Sequence, residues 1–495
     1  MRTSRSYTVI LGLLTGVIVL ITFFIFPDSR VNLVFGILGT LVVVSLLFLF
    51  KKKWLLFFAI SAIPISTGII LPGTGMNISF PSELLSVALA LFVSIQILRN
   101  KLEANLLYHP LTILLLIDLG WIGISTLFST SFDISVKRMM MKCVFFLVFY
   151  LLVGSFAFKD KSKVLMLFLI YGLGLIPVMY FTFVKHMSYD FDLRTVSEIC
   201  APYFNEHTIY AACLAFLIPI VLIVLWNSKI FKLSLFLKLL FGATFLFIIS
   251  QEILALSRAA LISLLAAFSF YLFLKTNWKI HVLFALLAVL LTVGVIYKNQ
   301  IFENIARTEA VSNDGNLSNH ISSVTNVKTD ASNLERINRW ICAIKMFKEK
   351  PLTGYGPGTY QFEYGQFQTT EFKTYISTNH GDRGNAHSEY LTYLSETGLP
   401  GFLIYIVLVF YTIHIGVQNY HRTRDKREKV TLLAILLGLI TFFVHGLVNA
   451  FIDQDKMAFL VYAAMAAITL FDIHNRKNKK IDNENSPKSI NQMAG

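Results

Sequence analysis

Long apolar runs separated by short polar breaks make up most of the chain. A helix crossing bilayer hydrocarbon needs about 20 apolar residues. Cutting the chain at its polar breaks leaves runs near 8–26, 31–50, 54–71, 82–98, 110–128, 141–157, 163–184, 206–226, 239–256, 258–274, 279–297, 399–417, 430–451 and 457–473. The pattern predicts an all-α polytopic membrane protein of about fourteen transmembrane helices. It divides into an N-terminal bundle of about eleven helices over 1–297, a large polar loop over 298–398, about three helices over 399–473 and a basic polar tail over 474–495. The first run follows Arg2 and Arg5, is too long for a signal-peptide core and lacks a small-x-small cleavage site, so a retained first helix is expected.

The loop over 298–398 is the one long stretch unsuited to hydrocarbon. Its first third, 303–330, is rich in Asn, Ser, Thr and Asp and reads as an irregular excursion or flap. Ser332 and Glu335 have the spacing of a capping box. Ile337, Trp340, Ile341, Ile344 and Phe347 then recur at helical spacing, a stripe expected on the membrane surface or the bundle, and Pro351 stops the helix. Arg336 and Arg339 lie one turn apart on it, so both guanidiniums are expected to project to one side. Gly354-Tyr355-Gly356-Pro357-Gly358 lacks the Lys-Ser/Thr ending of a phosphate-binding loop and reads as backbone punctuation. A short helical pattern starts at His387, with Asn385 as its cap and Gly398 at its end. An imidazole near a helix N-terminus favours the neutral form that can accept a proton.

Composition agrees with the pattern: 55% of the 495 residues are hydrophobic and only 15% are charged, which excludes an ordinary soluble domain. The net charge of +14 raises nucleic acid as a partner. The basic residues, however, fall between apolar runs: Lys51, Lys52 and Lys53; Arg99 and Lys101; Lys159, Lys161 and Lys163; Lys229 and Lys232; Lys275 and Lys279; Arg422, Arg424, Lys426, Arg427 and Lys429; Arg476, Lys477, Lys479 and Lys480. That is how cytoplasmic loops meet anionic membrane lipids, so no nucleic acid is expected. The asymmetry predicts an even number of spans, both termini cytoplasmic, and the large loop outside together with the Ser257-Arg258 corner. Cys143, Cys200, Cys213 and Cys342 lack metal-site spacing, and no HExxH or Asp-rich sugar-nucleotide motif occurs. Neither a metal nor a cofactor is expected.

Arg258 stands at the boundary between two apolar runs, where a guanidinium suits bidentate contact with a lipid-linked diphosphate or serves as a snorkelling anchor or a partner of Glu252. Arg194, Arg336 and Arg339 are further cationic candidates, with solvated or headgroup-binding roles as the alternative. His445, Asn449 and Asp453 recur every four residues at one end of the 430–451 run, lining a site or forming a wet helix rim. Asp118 and Glu252 fall inside spans and require partners.

The chain resembles the O-antigen ligase and polymerase superfamily of bacterial envelope glycosyltransferases. The resemblance rests on Ser257-Arg258-Ala259, on Arg336 and Trp340 leading into Pro351-Leu352-Thr353-Gly354-Tyr355-Gly356, and on Ala386-His387-Ser388-Glu389-Tyr390-Leu391 followed by Glu396-Thr397-Gly398-Leu399-Pro400-Gly401. These motifs span about 240–402. The family often carries a second His two positions before the catalytic one, where this chain has Asn385. The resemblance implies a GT-C-like helical fold in the bacterial inner membrane that acts at the extracytoplasmic face. The implied reaction transfers a glycan from undecaprenyl diphosphate to a hydroxyl, without metal or nucleotide sugar. His387 would then activate the acceptor hydroxyl while Arg258 and Arg194 hold the diphosphate. A ligase would use a lipid A-core acceptor, a polymerase another lipid-linked repeat unit, and an oligosaccharyltransferase a protein hydroxyl. A transporter or flippase is the remote alternative, disfavoured because the polar constellation gathers on one side rather than at mid-membrane.

Overall fold

The computed structural model describes residues 52–70, 77–192, 195–276, 331–370, 373, 377 and 384–484. The expected spans at 8–26, 31–50 and 279–297, the excursion at 303–330 and Arg194 lie outside them.

Among the described residues, nine helices are long and apolar enough to cross a membrane. They are α3 (Pro110–Leu127), α4 (Phe132–Ala157), α5 (Ser162–Met187), α6 (His207–Trp226), α7 (Leu235–Leu254), α8 (Arg258–Lys275), α10 (Glu389–Arg422), α11 (Lys426–His445) and α12 (Asp455–Glu484). Two shorter helices, α1 (Lys52–Ala62) and α2 (Ser82–Leu98), precede them, and α9 (Ala331–Glu349) stands between α8 and α10. Each of the nine contains one of the expected apolar runs or most of it.

The other two described runs do not make full spans. The 54–71 run breaks after Ala62, where Pro64 cannot donate to a helix, and gives way to a hairpin of β1 (Thr67–Ile70) against β2 (Asn77–Phe80), antiparallel with Thr67 opposite Phe80. Apart from this small hairpin the described elements are helical, in keeping with the all-α expectation. At 1.5 Å per residue α1 reaches only about 16 Å, roughly half the hydrocarbon thickness. Of the eleven expected spans that fall among the described residues, nine are long and apolar enough to cross a membrane.

Local chemistry explains the helix ends. Pro110 opens α3, where His109 accepts the Leu111 N–H at 3.2 Å. Asp425 caps α11 by accepting the Glu428 N–H at 2.8 Å. α4 is longer than the apolar pattern suggested because it starts at Phe132 and carries a π-helical stretch, Phe146–Leu152. α11 is shorter: it stops at His445, and Gly446 opens a turn that leads to α12.

The helices alternate in direction between two ends. At one end Ser82 at the start of α2 donates to Asp455 at the start of α12, and Lys142 of α4 pairs with Asp453 at 3.2 Å. At the opposite end His109 pairs with Asp472 at 3.0 Å and Lys161 with Glu428 at 3.0 Å. The described basic residues assigned to inner loops, from Arg99 to Lys429, belong to this second end. α6, α11 and α12 form the buried centre, whereas α7 and α8 bury the least of their surface.

α9 packs on the first part of α10 and closes a small second core of Cys342, Ala343, Met346, Tyr355, Tyr360, Tyr364 and Ala386. Its most buried face runs through Asn338, Arg339, Cys342, Ala343 and Met346; of the apolar stripe expected on the membrane surface or the bundle, Ile337 is buried and Ile344 is exposed. The four cysteines are free thiols.

The Gly354–Gly358 turn docks on a break in α10 at Gly398, whose backbone is left-handed at φ 68°. A Cβ on Gly398 would overlap the Leu352 carbonyl, so glycine is required there. Tyr355 N–H donates to the Ser395 carbonyl at 3.1 Å and Gly356 N–H to the Glu396 carbonyl at 2.9 Å. The Glu396 carboxylate takes the Gly358 N–H at 2.8 Å and the Tyr360 N–H at 3.1 Å. Glu396→Ala would orphan both donors, and a loss of about 3 kcal/mol is expected from two buried bonds to a carboxylate. Thermal unfolding of the detergent-solubilised variant should show a lower midpoint than wild type.

Candidate active site

His387 sits at the first end of the bundle, two residues before α10 begins. The helix is capped by Ser388, whose Oγ accepts the Leu391 N–H at 3.4 Å, and not by Asn385 as the sequence pattern suggested. Asn385 has another use. Its Oδ1 accepts the His387 N–H at 2.8 Å, and its Nδ2 donates to the Ala450 carbonyl at 3.0 Å. His387 itself adopts left-handed backbone, φ 46°, in the tight connection this creates. Trp340 Nε1 donates to its carbonyl at 3.2 Å, tying it to α9.

The imidazole is partly buried, with Nδ1 fully buried and without a hydrogen-bond partner. Burial, then the positive fields of Arg339 and Arg336, push its pKa down to about 3, opposed weakly by Asn449. The ring is therefore neutral at physiological pH, the state expected from its place near a helix start, although burial contributes more than any other cause.

The two arginines of α9 diverge. Arg339 is buried and held by protein: Nε donates to Glu335 at 2.7 Å, Nη1 to the Asn385 carbonyl at 3.1 Å and Nη2 to Tyr364 Oη at 3.1 Å, with the guanidinium over the Tyr364 ring. It fixes the approach to His387. Arg336 faces the space between α9 and the bundle. Burial and the charge of Arg258 lower its pKa, while Glu206 raises it. Arg258 and Arg336 are thus brought within electrostatic range of each other, across 78 positions of sequence, and Arg336 within range of His387.

Arg258 opens α8, after Ser257 caps that helix by accepting the Ala260 N–H at 3.4 Å. Glu252 does not hold it: both Glu252 carboxyl oxygens are buried without a hydrogen-bond partner. Asp118 does find one, accepting from Tyr393 Oη at 3.3 Å.

The expected polar face of His445, Asn449 and Asp453 is not one helix face, because α11 ends at His445 and the other two residues occupy the turn over 446–454. His445 and Asn449 are both about 1% exposed, and neither the ring nitrogens of one nor the amide atoms of the other have a hydrogen-bond partner. The turn is pinned from α10. Glu389 N–H donates to the carbonyls of Gly446, at 2.8 Å, and Asn449, at 3.0 Å. The Glu389 carboxylate accepts from Phe451 N–H and Ile452 N–H. Asp453 is held by Lys142, which also donates to Tyr393 Oη at 2.9 Å, and by Arg138 at 3.5 Å. Burial raises the Asp453 pKa, but Lys142 and Arg138 outweigh it and hold the carboxyl below its usual range.

Sequence reasoning did not single out Glu206, His207, Glu389 or Lys142. Glu206 and His207, at the head of α6, lie within reach of the Arg336 charge. Burial raises the Glu206 carboxyl, against a Thr208 hydrogen bond and the charges of Arg339 and Arg336. A polar pair heading an apolar run was the only sequence signal for them. Lys142, a charge inside an apolar run, was visible but unused. Among the described residues, no three His, Cys, Asp or Glu side chains group as a metal site.

No protein of curated function matches the chain. Residues 243–406, from α7 through the kink of α10, match the family described as O-antigen ligase. That segment contains Arg258, Arg336, Arg339 and His387. Residues 243–406 thus match the O-antigen ligase family over the same segment whose motifs resemble the O-antigen ligase and polymerase superfamily, within a chain of multiple membrane-spanning helices.

Proposed function

We propose that this protein is a GT-C-like glycosyltransferase of the bacterial inner membrane that moves a glycan from undecaprenyl diphosphate to an acceptor hydroxyl, with a lipid A-core acceptor as the leading assignment. The carrying observation is that Arg258 and Arg336 lie within electrostatic range of each other, and Arg336 within range of the neutral imidazole of His387, at one end of the helix bundle. Two guanidiniums within electrostatic range of each other suit a ligand with two negative charges, and a diphosphate is such a group. The site end faces the extracytoplasmic side in this reading, because the opposite end holds the lysines and arginines of the short loops, with both termini cytoplasmic.

The chemistry follows from the charges. His387 takes the proton of the acceptor hydroxyl, whose oxygen bonds to the anomeric carbon as the carbon–oxygen bond to the diphosphate breaks. The leaving diphosphate keeps the electron pair, and Arg258 and Arg336 stabilise its growing charge. Arg339 supports the site by holding the Asn385 carbonyl. Arg194, the remaining candidate for the clamp, would join from the segment before α6.

His387→Ala and Arg258→Ala should each lower transfer by on the order of 100-fold or more while the protein still inserts in the membrane. Reconstituted vesicles with undecaprenyl-diphosphate-linked glycan measure this, and full activity in either variant would remove the mechanism. In a deletion strain, long chains left on the lipid carrier indicate a ligase, and single repeat units a polymerase.

A second outcome concerns pH. The groups acting on His387 are Arg339 and Arg336 of α9 and the neutral Asn449. A bound diphosphate offsets the two arginines, so the imidazolium becomes easier to form and the pKa of His387 rises from its low value in the empty site. The acid limb of kcat should therefore lie at higher pH than that of kcat/KM for the lipid-linked donor. Coincident limbs would contradict this coupling.

A further inference from the structure

The turn between α11 and α12 runs beside the residues that flank His387 and bonds to both sides of it. Asn385 Nδ2 donates to the Ala450 carbonyl at 3.0 Å. Two residues beyond His387, Glu389 N–H donates to the Asn449 carbonyl at 3.0 Å, and its carboxylate takes the Phe451 and Ile452 N–H groups. With both flanks fixed, the Asn449 side chain lies close enough to the imidazole to act on it. The amide atoms of Asn449 and Nδ1 of His387 are all buried and all lack hydrogen-bond partners. Such groups are costly to leave unmade, and catalytic hydrogen bonds are often long in an empty site and close when substrate arrives.

We infer that Asn449 is the positioning residue of His387: its side-chain carbonyl receives the Nδ1–H, which leaves Nε2 as the bare nitrogen that takes the acceptor proton. This rests on the reading of His387 as general base. A base with two nitrogens needs its tautomer fixed by a third group, and the strength of that bond grows when the ring becomes imidazolium. The opposite amide orientation, with Nδ2 donating to Nδ1, would put the proton on Nε2 and abolish the base. Glu389 acts one step further back, because its carboxylate shapes the turn that carries Asn449.

The test compares Asn449→Ala, Asn449→Asp and His387→Ala in vesicles holding undecaprenyl-diphosphate-linked glycan and lipid A-core acceptor. Asn449→Ala should lower kcat by on the order of 10- to 100-fold, part of the contribution of the base itself, with KM for the lipid-linked donor within about twofold of wild type. Asn449→Asp offers only acceptors, so it should recover most of the rate and move the acid limb of the profile to higher pH, since a carboxylate favours the imidazolium. Histidine-nitrogen NMR should show the Nδ1-protonated tautomer of His387 in wild type and Asn449→Asp, and a tautomer mixture in Asn449→Ala. If His387→Ala abolishes transfer while Asn449→Ala keeps kcat within about twofold, the positioning role is overturned and the base stands. If His387→Ala is active, the base itself fails. An Asn449→Asp variant as slow as Asn449→Ala, with the same NMR tautomer, also overturns the role; this arm does not depend on the fold of the alanine variant.

Discussion

One carboxylate ties the site end of the bundle together. Glu389, in the first turn of α10, accepts two consecutive N–H groups, from Phe451 and Ile452, in a turn packed among apolar helices. Buried backbone donors must find acceptors, and a turn between two spans has no strand or helix to provide them. Because the same residue's N–H binds the Gly446 and Asn449 carbonyls, the turn over 446–454 and the segment around His387 form one unit. Removing the carboxylate would leave those donors unpaired and release the wall of the site opposite Arg336.

Beneath this clamp lies a second polar layer. Lys142 of α4 reaches Asp453 of the turn and Tyr393 of α10, and Tyr393 in turn reaches Asp118 of α3. Charges this deep are tolerated only when each finds a partner, and their mutual dependence fixes three spans and one turn in register. The layer touches none of the proposed reacting groups, yet it sets the height of Asp453 and hence of Asn449, four positions before it. The arginines follow the opposite logic. Arg339 has its donors taken up by Glu335, Asn385 and Tyr364, whereas Arg336 and Arg258 remain close enough to repel. Arg336 also has the acidic Glu206 within range, so both signs of charge meet near His387.

Much of this was readable in the chain. Nine of the apolar runs became long helices because twenty consecutive apolar residues have few other options. Gly398 and Pro351 marked real breaks, and the Ser257-Arg258 corner was legible because a serine cap followed by a charge interrupts an apolar run. His387 stood out through the motif around it, Ala386 to Leu391, since a histidine alone is more often a hydrogen-bonded structural residue. Other features were misread for local reasons. The 54–71 run has the apolarity of a span, but Pro64 and the β-branched residues after it favour a hairpin. The buried face of α9 is lined by Asn338 and Arg339, since a polar residue with satisfied partners packs inward as well as an isoleucine does. His445 and Asn449 appeared to share a helix face because nothing in the sequence announces that α11 ends at Gly446.

The sequence by itself determined the membrane class, the helical content and the gathering of basic residues at one end, and it singled out His387, Arg258 and Arg336 as candidates. These depend on composition and short-range spacing, which survive any packing of the helices. Only the tertiary structure decided that Arg339 is held by Glu335, Asn385 and Tyr364, that Glu389 holds the turn over 446–454, and that Asn449 comes close to the imidazole. Most of those relations join residues dozens of positions apart, and they are set by how buried polar groups satisfy one another when the spans pack.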